Sequence, residues 1–250
     1  GYLTTTGSNN TALGTASLYS NTTGGSNVAL GYSSLFNNVG GPNNTAVGYQ
    51  SLFNSTAGYN TAIGYLAGKA ISSGVNNVAV GREAMSGATA VTGSSDIGIG
   101  VGAFAALSSG GSNIAIGTNA QASTTSGNYN VAIGDEALYT NTTASSNTAV
   151  GYQAGRLINT GTSSAFFGYQ TGFNTTGSYN SFFGGSGAGY LITSGAKNTV
   201  IGNYSGNQGG LDIRTASNYI VLSDGDGNPR GIFDASGNLL VGATSGLASS

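Results

Sequence analysis

Among side chains able to do chemistry, this chain of 250 residues has eight carboxylates, six cations and 14 tyrosines, with no histidine and no cysteine. The missing types decide much. Without them there is no Ser-His-Asp or Cys-His nucleophile, no thiol or disulfide chemistry, and none of the usual transition-metal ligands. Absence of cysteine agrees with a place outside the cell but does not require it. Carboxylates remain. A glycosidase needs two of them across a cleft. Asp135 and Glu136 are instead neighbours along the chain, as are Arg82 and Glu83, and both pairs fall at one position of a repeat. They are expected to face solvent, so the chain is not expected to be an enzyme. Asp224, Asp226 and Asn228 echo the opening of a calcium loop, but Ala235 stands at the twelfth position, where the bidentate glutamate belongs. A hairpin turn is the expected use of that stretch. No catalytic residue, cofactor or metal site is assigned.

Tyrosine has better spacing. Tyr32, Tyr49, Tyr65, Tyr152 and Tyr169 each follow a glycine in the same motif, and Gln50, Gln153 and Gln170 follow three of them. Stacked on successive turns, such rings either contact sugars, whose apolar faces suit aromatic rings, or simply cover the edge of the fold as a ladder. The cations are dispersed: Lys69, Arg82, Arg156, Lys197, Arg214 and Arg230. Nucleic acid is therefore not an expected partner, because phosphate binding needs clustered positive charge. No run of 18 apolar residues is present, so no membrane-spanning helix is expected.

The element that positions these residues is a five-residue unit: Asn, a β-former, Ala, an aliphatic, then Gly. It closes at Gly14, Gly31, Gly48, Gly64, Gly81, Gly100, Gly117, Gly134, Gly151, Gly168, Gly184 and Gly202, in steps of 16 to 19 residues. A fixed period this short predicts stacked rungs. Gly is 45 of 250 but Pro only 2, which excludes collagen. Hydrophobic residues recurring in register argue against disorder, and no 3.6-residue pattern runs long enough for a helix.

Read by columns, the residue four before each Gly is Asn in ten rungs, Asp96 in one and Ser164 in another. These short polar side chains are expected to form a ladder that bonds rung to rung. The residue before Gly never turns polar (Leu13, Leu30, Val47, Ile63 and onward to Phe167, Phe183 and Ile201) and is expected to fill the solenoid core. Strand residues alternate in direction. The preceding column, Ala12, Ala29, Ala46, Ala62, Ala79, Ala115, Ala132 and Ala149, is therefore expected to face out, kept small for close approach by another chain. Such thin rungs are marginal alone, which favours lateral association. Three residues after Gly the side chain is always small, and the next is often Leu or Gly; the rest of each rung is turn chemistry that tolerates insertions, as at residues 86–95. Where Phe166-Phe167 and Phe182-Phe183 make both strand columns aromatic, the packing or thickness is expected to change. A threonine row for ice binding is broken by Val28, Val78, Ile97, Ile114 and Val131.

The repeat is expected to end near Gly206. Three β-rich runs then follow, around Ile220-Val221-Leu222, Arg230-Gly231-Ile232-Phe233 and Leu239-Leu240-Val241, with Gly, Asn and Asp turns between them. The expected fold is all-β: a parallel β-solenoid or β-roll of about twelve 16–19-residue rungs at 1–206, then a short β-meander at 207–250 leading to a further domain. Gly1-Tyr2-Leu3-Thr4 reads as the middle of a rung, which implies a piece of a longer protein.

The Asn-Thr-Ala-Val-Gly-Tyr-Gln units resemble the head repeats of trimeric autotransporter adhesins, which are left-handed parallel β-rolls, and resemble still more the repeat shafts of bacteriophage tail fibres. Residues 220–242 resemble the β segment that such fibres carry before a self-cleaving chaperone. The resemblance implies a homotrimeric structural segment of a virion appendage that projects or forms a host-receptor-binding surface, with a cell-surface glycan or receptor as partner and no membrane insertion. The alternative it leaves open is the head of a bacterial surface adhesin. Either source makes the sequons at Asn21, Asn54, Asn141 and Asn174 turns.

Overall fold

The computed structural model describes residues 6–87 and 90–242. The opening Gly1-Tyr2-Leu3-Thr4 and residues 243–250, read above as part of a rung and the start of a further domain, lie outside the described residues. The described chain is all-β, without a helix. It divides into two compact units, Gly1–Tyr129 and Asn130–Ser250. Both are parallel β-solenoids, about twelve turns in all.

The first unit holds β1 (Thr11–Leu13), β2 (Val28–Leu30), β3 (Thr45–Val47), β4 (Thr61–Ile63), β5 (Val78–Val80), β6 (Ile97–Ile99) and β7 (Ile114–Ile116), one strand per rung. They pair in parallel with unbroken register, so Ala29, Ala46 and Ala62 lie side by side. The second unit continues the motif with β8 (Val131–Ile133), β9 (Thr148–Val150), β10 (Ala165–Tyr169), β11 (Ser181–Ser186) and β12 (Thr199–Ile201). A small antiparallel hairpin follows, β13 (Asn207–Gln208) with β14 (Leu211–Asp212). The next strand, β15 (Ile220–Ser223), pairs in parallel with β12, placing Ile220 beside Thr199. The parallel ladder thus runs one strand past Gly206. Only then does the chain reverse into β16 (Pro229–Phe233) and β17 (Leu239–Val241), an antiparallel meander.

Ten of the twelve rung strands are three residues long, bracketed by Asn or Asp and Gly; β10 and β11 run on past the glycine. The asparagine ladder is present and buried. Each side-chain oxygen takes the backbone N–H of its counterpart one rung on: Asn44 from Asn60 at 2.9 Å, Asn60 from Asn77 at 3.0 Å, Asn130 from Asn147 at 3.0 Å. Each Nδ2 then donates to a turn carbonyl, as Asn60 does to Gly74 at 2.9 Å and Asn147 to Gly161 at 2.9 Å. The amide is fully used, which is what burial of a polar group demands. At the other bracket Gly48 has φ +131°, and a Cβ there would land on the carbonyl of Gly64. Backbones approach at this column too closely for any side chain.

Many rungs also place three non-glycine residues in the left-handed region, for example Gln50, Leu52 and Tyr59 at φ +50°, +48° and +63°, and in others glycine takes one or two of these positions, as Gly68 and Gly102 do. Such a conformation costs roughly 1–2 kcal/mol per residue. All three N–H groups donate to neighbouring rungs: Gln50 to Tyr32 O, Leu52 to Ala67 O and Tyr59 to Pro42 O, at 2.9–3.0 Å. The left-handed residues turn peptide groups along the stack, and the inter-rung bonds offset the strain.

The inside and outside of the strand are the reverse of the sequence expectation. Ala29, Ala46, Ala62, Ala79, Ala115, Ala132 and Ala149 are fully buried within the single chain, so this column is not available to a second one. Ala12, in the first described strand, is exposed. The aliphatic column faces out: Leu30 is 40 % exposed, Ile63 43 % and Ile201 50 %. The reason is volume. In most of the alanine rungs the far wall already points a large side chain at the strand, and Leu18, Leu35, Leu52, Met85, Phe104 and Leu138 are all buried there; at Gly68 the large groups come from beside it, Leu52 and Ile71. Between the walls there is room for one large group, so the strand supplies Ala. Serines of the small column, such as Ser51, lie beside this core and donate Oγ–H to the rung's own glycine carbonyl, here Gly48 O at 3.1 Å.

The phenylalanine rungs keep the same rule with the walls exchanged. Phe166 and Phe182 are fully buried, and Gly155, Gly172 and Gly189 replace the far-wall leucine. A Cβ at Gly155 would sit 2.7 Å from the Phe166 ring, and one at Gly172 or Gly189 would overlap the ring of Phe166 or Phe182. Packing does change here, by moving bulk from one wall to the other.

Candidate functional site

The outward strand face is the most continuous apolar feature of either unit. In the first, Leu13, Leu30, Val47, Ile63, Val80, Ile99 and Ile116 form one straight column, because the pairing has no register shift across β1 to β7. In the second the column is Ile133, Val150, Phe167, Phe183, Ile201 and Leu222, and the Phe167 and Phe183 rings stack at 5.0 Å. These side chains are exposed or half-buried. A second outward column accompanies it two residues earlier, Thr45 and Thr61 in some rungs and Val28, Val78, Ile97 and Ile114 in others. Isolated exposed aliphatics need no explanation, but a contiguous stripe of this kind marks an interaction surface.

The tyrosines form the ladders that their spacing predicts. Tyr32, Tyr49 and Tyr65 stack with centroids 5.3 Å apart and planes within 10–15°, and Tyr152 stacks on Tyr169 at 5.3 Å. Their exposure is 43–50 %. Stacking covers both faces of Tyr49, whereas Tyr32, Tyr65, Tyr152 and Tyr169 stand at ladder ends with a tyrosine on one face only. Sugars bind aromatic faces, so this geometry confines sugar contact to the ladder ends. Beside Tyr152 and Tyr169 the amides are joined to one another: Gln170 donates to Gln153 at 2.8 Å, and Gln153 to Glu136 at 2.7 Å.

A second aromatic column, not marked by the tyrosine motif, lies further along the rungs. Tyr19, Phe36 and Phe53 stack at 4.9 and 5.1 Å, five residues after their closing glycines. In the second unit Tyr139, Arg156, Phe173 and Tyr190 hold the equivalent column, with the Arg156 guanidinium 5.0 Å from the Tyr139 centroid and 5.5 Å from that of Phe173. The signal was available as an aromatic at constant offset.

The carboxylates are occupied locally. Glu136 accepts from Arg156 Nε at 2.8 Å, Glu83 pairs with Arg82 at 3.3 Å, and Asp212 with Arg214 at 2.7 Å. Asp224 accepts the N–H groups of Asp226 at 3.1 Å and Asn228 at 2.9 Å, and Arg230 Nε at 2.9 Å. Its carboxyl is held down to about 2, first by Arg230 and then by the Asn228 N–H. The stretch is a hairpin turn locked by an aspartate, and Asp234 repeats the device with Ser236 and Asn238 at 2.9 and 2.8 Å. Hydrogen bonds to Arg156 and Gln153 likewise lower Glu136. Groups held ionised in this way are poor general acids. Among the described residues no group of three or more acidic side chains gathers that could hold a metal ion. A depression of about 560 Å³ lies beside Tyr190, Asn203, Gln208 and Asp226. Its amides serve the backbone: Asn203 bonds Ser186 N and Gly225 O, and Gln208 bonds Ser205 N and Asp226 O.

No helix is long and apolar enough to cross a membrane among the described residues. No family model, no curated protein and no solved structure matches the chain.

Proposed function

We propose that the chain is a structural segment of a homotrimeric fibre, in a phage tail fibre or similar virion appendage, that carries or spaces a host-receptor-binding surface. The observation that supports this reading is the unbroken outward aliphatic column. A stripe repeating once per rung, at roughly 4.8 Å, fits best against a surface of the same period, and another copy of this chain has one. The trimer contact is thus assigned to Leu30, Val47, Ile63 and their counterparts rather than to the alanines. Light scattering tests it. The native chain is expected to be a trimer, and the double variant Leu30→Glu/Ile63→Glu a folded monomer. A monomeric native chain, or a charged variant that still assembles, would sink the proposal.

The exposed tyrosine ladders support a second reading, the head of a bacterial adhesin that binds glycan directly. Tyr32→Ala and Tyr65→Ala open the ladder ends without touching the outward column. Loss of glycan-array binding in these variants, with assembly intact, would favour it; unchanged binding would remove it.

A further inference from the structure

The buried ladder contains one chemical exception. Asp96 stands where the neighbouring rungs have Asn77 and Asn113, and it is fully buried. One half of the aspartate behaves as an asparagine does. Its N–H donates to Asn77 Oδ1 at 2.9 Å, and its own Oδ1 accepts the Asn113 N–H at 2.9 Å and Asn113 Nδ2 at 3.0 Å. The other half does not. In adjacent rungs the second amide atom is a donor: Asn77 Nδ2 gives its hydrogen to Gly93 O at 3.0 Å, and Asn113 Nδ2 to Gly127 O at 2.9 Å. The corresponding acceptor for Asp96 is Gly110 O. A Cβ on Gly93 would touch both that carbonyl oxygen and Asp96 Oδ2, so the two oxygens are neighbours. Oδ2 has no hydrogen-bond partner in the absence of a proton.

We propose that Asp96 is a proton-operated weak point in the ladder: protonated, it donates Oδ2–H to Gly110 O and completes the stack, and ionised it sets a buried carboxylate against that carbonyl and loosens the rung. The proton passes to and from water when the rung opens. The proposal rests on the ladder geometry and is independent of what the fibre serves.

Nothing titratable competes for the group. The adjoining rungs present Asn77, Gly93, Gly110 and Asn113 to it, and no charged group contributes to its shift. The charged side chains on those rungs are Lys69, which contributes nothing to the shift, and Arg82 and Glu83, which pair with each other in the exposed turn after β5. Burial pushes the Asp96 carboxyl up from 3.8 to about 6, against the opposing effect of the Asn113 bonds. The sign follows. The folded rung binds the proton more tightly than the open one, so its stability is full below 3.8 and declines as pH rises through about 6. The full effect is on the order of a hundredfold in the opening equilibrium.

Amide hydrogen exchange on the full-length chain tests this. Corrected for intrinsic rate, protection of the Asn113 N–H is expected to fall by about 25-fold between pH 4.5 and 7.5. The Asn60 N–H, whose acceptor is an amide, serves as the internal control and should hold its protection. In Asp96→Asn the Asn113 amide should lose its pH dependence. A carbon-13 titration should find the Asp96 carboxyl ionising near pH 6. Equal pH profiles for Asn113 and Asn60 in the native chain, or ionisation near 3.8, would overturn the proposal even if the variant failed to fold.

Discussion

The rungs around Ala46 and those around Phe166 solve the same packing problem in opposite ways. At Ala46 the strand is small and the far wall large, with Leu35 and Leu52 buried opposite. At Phe166 the strand is large and the far wall is Gly155 and Gly172, where a Cβ would meet the ring. Gly98 carries the first solution further: a Cβ there would lie 3.2 Å from both Met85 and Phe104. The conserved quantity is the volume between the walls, not the residue at either one. Dense packing is a general demand of protein interiors, and in a rung this narrow a change at one wall is met by the opposite wall or by another nearby side chain, as Leu52 and Ile71 meet Gly68.

The largest effect should come from charging the smaller wall. Ala46→Asp buries a carboxylate with no donor, and should destabilise the chain by more than about 4 kcal/mol in denaturant unfolding. The same charge at exposed Thr56 should cost less than about 1 kcal/mol. Comparable losses at the two sites would mean that the alanine column is not the interior.

Next is the larger wall. Phe166→Ala should cost about 3–5 kcal/mol by leaving a cavity. Gly172→Leu should cost about 1–3 kcal/mol by overpacking. The left-handed conformation adds roughly 1–2 kcal/mol, a strain that Leu52 sustains at the equivalent position at φ +48°. Together the two changes rebuild the Ala46 arrangement, so the double variant should be more stable than Phe166→Ala alone. A double-mutant cycle measures the coupling, and simple additivity would break the comparison.

The smallest effect belongs to the surface. Glu136 and Arg156 are about a quarter exposed, at 29 % and 26 %, and the pair is expected to contribute no more than about 1 kcal/mol. Because Glu136 is lowered from 4.5, this contribution is present above that pH and is lost as pH falls. The stability gap between the native chain and Glu136→Gln should therefore close in acid.

Much of the fold was legible in the sequence. The glycine period gave the rungs, the Asn column gave the ladder, and the runs after residue 219 gave the meander. The error was one of facing. Large aliphatics at Val47 and Ile63 looked like core and small Ala46 looked like a contact, because only the strand was weighed. The correcting signal lay at a distance of six residues: Gly98 with Phe104, Phe166 with Gly172, Ala46 with Leu52. In these rungs size on one wall is inverse to size on the other; where Ala62 faces Gly68 and Ala149 faces Gly155 the space is taken by other large side chains, Leu52 and Ile71 at the first and Leu138 and Phe166 at the second. For the candidate site the outcome divides. The tyrosine ladder was visible from spacing, but the covering of its ring faces follows from stacking distances that a sequence does not contain.

The asparagine ladder has a consequence for how length is inherited. Each rung receives one bond from the rung before and passes an equivalent bond to the rung after, as Asn44 takes the Asn60 N–H while its own N–H goes to Asn27 Oδ1. Deleting residues 28–44 would join Asn27 to Thr45 and offer the Asn27 oxygen to the next rung in place of the one removed. A deletion of half that size would leave both partners orphaned. Turns can gain or lose a residue or two, but the ladder itself can lengthen or shorten only in whole rungs, which makes its gene a ruler open to recombination at the marks.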